Sequence, residues 1–136
     1  MNGGPRVAVL GAGANGASIG ADLTRAGVDV TLIDQWPAHV EAMRADGLRI
    51  EMPEETLEVE VRALHLCEVA ELRQPFDVVL IVIKAYDAAW AARLIAPYVQ
   101  PDGLVAGVQN GMTAATIAEA VGAERTVGCV IEVSSR

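Results

Sequence analysis

A doubly wound α/β sheet, mostly parallel with helices on both faces, is the fold class this sequence predicts, on three observations. Short β-branched runs alternate with Ala-rich stretches along the chain. Phe76-Asp-Val-Val-Leu-Ile-Val-Ile83 is too continuously apolar for a strand with one wet face. The first β-branched run ends directly on a cluster of glycines. A length of 136 residues suits one domain, 1–136, around one hydrophobic core.

Arg6-Val-Ala-Val-Leu10 reads as the first strand. Ala14 to Ala26 follows as a helix, with Ile19 and Leu23 one turn apart, Asp22 and Arg25 on another face, and Gly27 as its stop. Val28-Asp-Val-Thr-Leu-Ile33 is the second strand, ending at Asp34. Pro37 suits the first turn of a helix running to about Ala45, before Asp46-Gly47 breaks it. Leu48 to Leu66 has a different texture and reads as a hairpin or an edge pair; its second piece, Leu57 to Leu64, alternates apolar and charged residues at period two, which predicts one wet face. The doubly wound pattern then resumes. Phe76–Ile83 is a central strand, Asp87–Val99 a helix and Gly103–Val108 a strand; Met112–Val121 is an Ala-rich helix closed by Gly122, and Thr126–Val133 a last strand.

Composition narrows the function. Apolar residues make up 52% and charged residues 21%, which excludes a disordered tail. The net charge of −8 argues against nucleic acid and against an anionic membrane surface, but not against an anionic ligand, because a helix N-terminus binds phosphate without basic side chains. Cys67 and Cys129 are too few for a metal-ligand set or a disulfide framework, and read as small core residues in a reducing compartment. No run approaches the ~18 apolar residues of a membrane helix, and the first residues lack the pattern of a secretory signal, so a cytoplasmic protein is expected.

The glycine cluster is Gly11-Ala12-Gly13-Ala14-Asn15-Gly16. A lone GxGxxG is weak evidence, but this one follows a predicted strand and opens a predicted helix. In that setting Gly11 permits a tight turn, Gly13 lets the backbone approach a pyrophosphate, and Gly16 allows close packing of helix on strand, which Gly20 extends. Helix-start N–H groups and the helix dipole then favour phosphate. Asp34 stands where the acidic residue of a Rossmann-type dinucleotide fold accepts hydrogen bonds from the adenosine ribose; it would repel a 2′-phosphate, which favours NAD over NADP. Its alternative role is to cap the following helix.

Two further residues end predicted strands, where open α/β sheets bind ligands: Lys84 after Ile81-Val-Ile83, and Asn110 after Gly107-Val-Gln. Together with the glycine loop, the segment Val82-Ile-Lys84-Ala-Tyr-Asp87 and the run Gln109-Asn110-Gly111-Met112, they make the chain resemble the amino-terminal domain of the ketopantoate reductase (2-dehydropantoate 2-reductase) family over essentially its whole length. The resemblance implies that Lys84 contacts the cofactor and that Asn110, the candidate catalytic residue, sits by the nicotinamide and substrate. It also implies reduction of the ketone of a 2-oxo acid such as ketopantoate, a step of pantothenate biosynthesis, by NADPH. Two departures stand out. Where many members carry a basic residue for the 2′-phosphate, this chain has Asp34-Gln35, and the family's helical carboxy-terminal domain, with its catalytic Lys and acidic substrate-binding residue, is absent from this sequence.

The sequence therefore predicts the cofactor domain of an NAD(P)-dependent 2-oxo-acid reductase, with no metal, no nucleic acid and no membrane partner, and a homodimer as the assembly to test. His39, in the helix after Pro37, and His65, in the polar edge region, read as surface residues with no role as general acid. Two other classes compete: a non-catalytic dinucleotide sensor or subunit, and an FAD-binding domain. The pairing of Lys84 with Asn110 opposes both.

Overall fold

The computed structural model describes residues 4–51, 53–109 and 113–130. In chain order the elements are β1 (Arg6–Leu10), α1 (Ala14–Arg25), β2 (Asp29–Asp34), α2 (Pro37–Asp46), β3 (Leu48–Glu51), β4 (Thr56–Val59), β5 (Arg62–His65), β6 (Phe76–Ile81), α3 (Ala88–Ile95), β7 (Val99–Gln109), α4 (Ala114–Val121) and β8 (Thr126–Val130). Six strands form one parallel sheet in the order β5-β2-β1-β6-β7-β8, which is the Rossmann-type doubly wound arrangement. Strand order reverses at β1, the strand that carries the glycine loop.

The core lies in two layers because β1 is buried on both faces. Val7 and Val9 pack with Ala17, Ala21, Val40 and Met43 of α1 and α2, while Ala8 and Leu10 pack on the other side with Ala91, Ile95 and Ile117 of α3 and α4. Burying one such Val or Leu contributes roughly 1.5–3 kcal/mol. The face α1 buries differs from the expected one: Gly16, Ala17, Gly20 and Ala21 are buried, whereas Ile19 and Leu23 are half-buried. Small residues win that face because the helix lies against β2, where a Cβ on Gly20 would come within 2.5 Å of Leu32 Cδ2.

Four expectations need correction. The stretch Leu48–Leu66 does hold a hairpin, the antiparallel pair of β3 and β4, but it also holds a third strand: β5 leaves the pair to lie parallel beside β2 at the sheet edge. Arg62 donates to the Asp29 carboxylate at 2.8 Å, and Arg44 Nε donates to the Ala63 carbonyl at 3.0 Å, so side chains outside the segment draw β5 away. The predicted helix Asp87–Val99 is shorter. It ends at Ile95, a 3-10 turn occupies Ala96–Tyr98, and Val99 already belongs to β7, because Pro97 has no N–H to continue the α pattern. Phe76 pairs with Val99 but Val78 with Leu104, so residues 100–103 bulge and regular pairing starts close to the expected Gly103. Cys67, expected in the core, is exposed on the 3-10 turn Leu66–Glu71.

One sheet face stays thinly covered. Val78 and Leu80 of β6 and Ala106 of β7 are half-buried, and beside them Leu104 and Val127 are 43% and 39% exposed. Among the described residues no helix is long and apolar enough to cross a membrane.

Candidate functional site

Because the sheet is parallel, the carboxyl ends of β1, β2, β6 and β7 share one edge, and the glycine loop, Asp34 and Lys84 follow the first three of these strands there. At the end of β1 the chain must turn at once to start α1. Gly11 makes the turn with φ of 110°, a conformation that favours glycine, while its N–H donates to the Ile33 carbonyl at 2.8 Å. A Cβ on Gly11 would also lie 2.4 Å from the Val82 carbonyl oxygen of the neighbouring strand's end. Gly16 is required for a different reason than helix–strand packing alone: its Cβ would fall 1.8 Å from the Gly11 carbonyl oxygen, within the loop itself.

Gly13 stands apart from these two. It is exposed, its backbone is extended (φ −72°, ψ −164°), and a Cβ built on it meets nothing within 4 Å. The protein therefore does not need glycine here for its own packing, which leaves the space beside the loop as the reason for it. Gly13 is the N-cap of the 12-residue α1, and its carbonyl accepts the first helical bond from Ala17 N–H at 2.8 Å. N–H groups of a first helical turn lack helical acceptors and carry the positive end of the dipole. Loop residues Gly13, Ala14, Asn15 and Gly16 thus fit the pyrophosphate of a dinucleotide.

Asp34, half-buried at the end of β2, faces this loop directly. Its Oδ1 accepts the Ala12 N–H at 2.9 Å and its Oδ2 the Trp36 N–H at 3.2 Å. It is not the N-cap of α2, which is Trp36 without a side-chain cap bond; it ties the residue that opens α2 to the middle of the glycine loop. Each carboxylate oxygen keeps a second acceptor site.

His39 is the residue that sequence reasoning missed. It is not a free surface side chain: half-buried in the first turn of α2, it places Nε2 2.7 Å from the Ala12 carbonyl oxygen. No signal within its own helix could have found it; the contact depends on β1 and β2 lying adjacent and parallel. His65 is likewise half-buried, with Nε2 2.6 Å from Glu41 Oε2. Beside it the Glu68 carboxylate accepts the His65 backbone N–H at 2.8 Å and also pairs with Arg44. The His65 N–H and then Arg44 hold the Glu68 carboxyl below the usual carboxylate range.

Lys84 lies three residues beyond β6, exposed, where its carbonyl accepts the Asp87 N–H at 2.9 Å to start the 3-10 turn Ala85–Asp87. Asp87 is anchored in turn by the Trp90 indole N–H at 2.8 Å. The structure brings the glycine loop, Asp34 and His39 into direct contact and leaves Lys84 as a separate cation on the same edge. Asn110, the candidate catalytic residue, lies outside the described residues, as do Gly111 and Met112. Among the described residues no group of three or more His, Cys, Asp or Glu could hold a metal ion.

Comparison with known proteins agrees with this geometry. The family model described as ketopantoate reductase PanE/ApbA matches residues 7–136. A 2-dehydropantoate 2-reductase of Halobacterium salinarum is 35% identical over 121 residues, covering 88% of this chain and 39% of that protein. The corresponding enzyme of Lactococcus lactis is 31% identical over 107 residues, covering 79% of this chain and 34% of that protein. Among solved structures, a PanE/ApbA family ketopantoate reductase from Ralstonia eutropha superposes with a TM-score of 0.83 at 35% identity, covering 95% of this chain and 42% of that one. A D-mandelate dehydrogenase, solved with NADH and anilino(oxo)acetate, superposes with a TM-score of 0.80 at 25% identity over 89% of this chain and 38% of that one. The chain thus spans 34–39% of the length of these two curated relatives.

Proposed function

The chain belongs to the ketopantoate reductase PanE/ApbA family, and from that premise we propose that it holds a nicotinamide dinucleotide for the reduction of a 2-oxo acid, ketone to alcohol. The observation that carries this reading is the open, Cβ-free space beside Gly13 at the start of α1, between Gly11 and Gly16, at each of which an added Cβ would collide with the backbone. When bound, the reduced nicotinamide supplies a hydride to the ketone carbon.

The chain's own residues divide the remaining work. Loop residues Gly11 to Gly16 hold the pyrophosphate, and Asp34 accepts the adenosine ribose hydroxyls with the acceptor sites that Ala12 and Trp36 leave open. Lys84 supplies a positive charge toward the cofactor's anionic part, and Asn110 orients the nicotinamide and the substrate carbonyl. NADH is the proposed cofactor: the Asp34 carboxylate would repel a 2′-phosphate and the neighbouring Gln35 offers no charge to bind one. The structural relative solved with NADH supports the same choice.

Residues 1–136 are proposed as the cofactor domain, with a helical domain beyond it supplying the substrate pocket and the proton for the new alcohol oxygen. The thinly covered sheet face around Leu104 and Val127 supports further packing there, since contiguous exposed apolar surface of this kind marks an interaction site. The test is a steady-state assay of the whole protein with ketopantoate, following nicotinamide absorbance with NADH and with NADPH. Turnover that falls roughly 10²-fold in an Asn110→Ala variant is expected. Tight dinucleotide binding without reduction of any 2-oxo acid would instead make this a binding module.

A further inference from the structure

Both polar groups of Ala12, in the middle of the glycine loop, are held by one short segment of chain. Asp34 accepts its N–H at 2.9 Å, and the imidazole Nε2 of His39 lies 2.7 Å from its carbonyl oxygen. A carbonyl only accepts, so Nε2 carries the hydrogen of this bond. Two successive peptides are therefore fixed: Gly11–Ala12 by the carboxylate, and Ala12–Gly13 by the imidazole.

The second bond matters more than the first. No cis peptide occurs among the described residues, so in the Ala12–Gly13 unit the carbonyl and the Gly13 N–H point in opposite directions. Holding the carbonyl toward His39 turns the Gly13 N–H to the opposite side. Without that hold the unit is free to flip, because the residue after it is glycine, which accepts φ of either sign at little cost. A flipped peptide would present a carbonyl oxygen where the N–H had been, and the dipole would then repel a phosphate.

We propose that His39 is a positioning residue of the phosphate loop, donating from Nε2 to the Ala12 carbonyl and thereby aiming the Gly13 N–H at the cofactor pyrophosphate. This rests on the reading of the loop as a dinucleotide site. It goes beyond that reading by assigning a role to a side chain outside the glycine motif that does not itself touch the ligand.

The experiment compares the unmodified protein with His39→Phe, which keeps a ring of similar size but no donor, and His39→Gln, which restores an N–H. Affinities for ADP-ribose and for adenosine are measured by titration, and exchange of the Ala12 and Gly13 amides is followed by NMR without ligand. In the Phe variant, ADP-ribose binding should weaken about tenfold (~1.4 kcal/mol) while adenosine, which lacks the phosphates, changes little. Exchange at Ala12 should rise by about the same factor as the loop loses one anchor, and Gln should recover most of both effects. Unchanged exchange and unchanged ADP-ribose affinity in the Phe variant would overturn the proposal alone, and so would equal losses for ADP-ribose and adenosine. Failure of the unmodified protein to bind ADP-ribose would overturn the cofactor reading, and this proposal with it.

Discussion

Replacing Gly13 with alanine separates what the loop does for the protein from what it does for a ligand. The added Cβ meets no protein atom within 4 Å, and the backbone at φ −72° and ψ −164° suits any L residue, so no strain is introduced. Two small opposed terms remain. Alanine restricts the unfolded chain and contributes about 0.4–1 kcal/mol of stability, while its weaker N-cap preference costs a similar amount. The net change stays within about 1 kcal/mol, or a melting shift of no more than ~4 °C. Ligand binding should behave quite differently. A methyl group in the pyrophosphate's place forfeits one charge-assisted hydrogen bond, about 1.5–3 kcal/mol, or roughly a ten- to hundredfold weaker affinity for NADH. The assay pairs a thermal melt with calorimetric titration. An unchanged NADH affinity in the folded variant would refute the phosphate site, and a melting drop of several times ~4 °C would refute the open space. Gly16→Ala is the contrast: its Cβ collides with the Gly11 carbonyl at 1.8 Å, so overpacking of about 1–3 kcal/mol should reduce stability and binding together.

Three other outcomes are expected. NADH should bind at least about tenfold more tightly than NADPH (~1.4 kcal/mol), and Asp34→Arg should reverse the order; Asp34→Asn, which keeps an acceptor for the Ala12 N–H, should narrow the gap without loosening the loop. Tighter NADPH binding by the unmodified protein would show that Lys84 outweighs the carboxylate. Glu68 offers a test by pH. Its carboxyl is held low by the His65 N–H and by Arg44, so its stabilisation is present above the unfolded-state value and is lost as pH falls through the lower folded value. The melting difference between Glu68→Gln and the unmodified protein should therefore close as pH drops below about 4, and a gap constant with pH would disprove the linkage. Finally, residues 1–136 alone should bind NADH yet show no reduction of ketopantoate; robust turnover would mean that this chain contains its own proton donor.

Local chemistry made most of the cofactor edge legible in the sequence alone. The strand before the glycines, the helix after them and the acidic residue at the end of the second strand are each dictated by near neighbours: β-branched runs, a positive-φ turn at Gly11, and a Pro in the next helix's first turn. The parallel sheet followed from continuous apolar runs such as β6, which suit burial on both faces. What tertiary structure decided were choices among partners of equal local merit. Alternating residues 57–64 have the same periodicity whether they pair within a hairpin or join the main sheet, and partners distant in sequence, Asp29 and Arg44 among them, fasten β5 beside β2. Ile19 and Leu23 looked like the inner face of α1, but close approach to β2 gave that place to glycine and alanine. His39 shows the same limit at the site. Nothing within its own helix distinguishes it from a solvent-facing histidine; its contact with Ala12 arises because β1 and β2 are adjacent and parallel, which brings the start of α2 onto a loop 27 residues earlier.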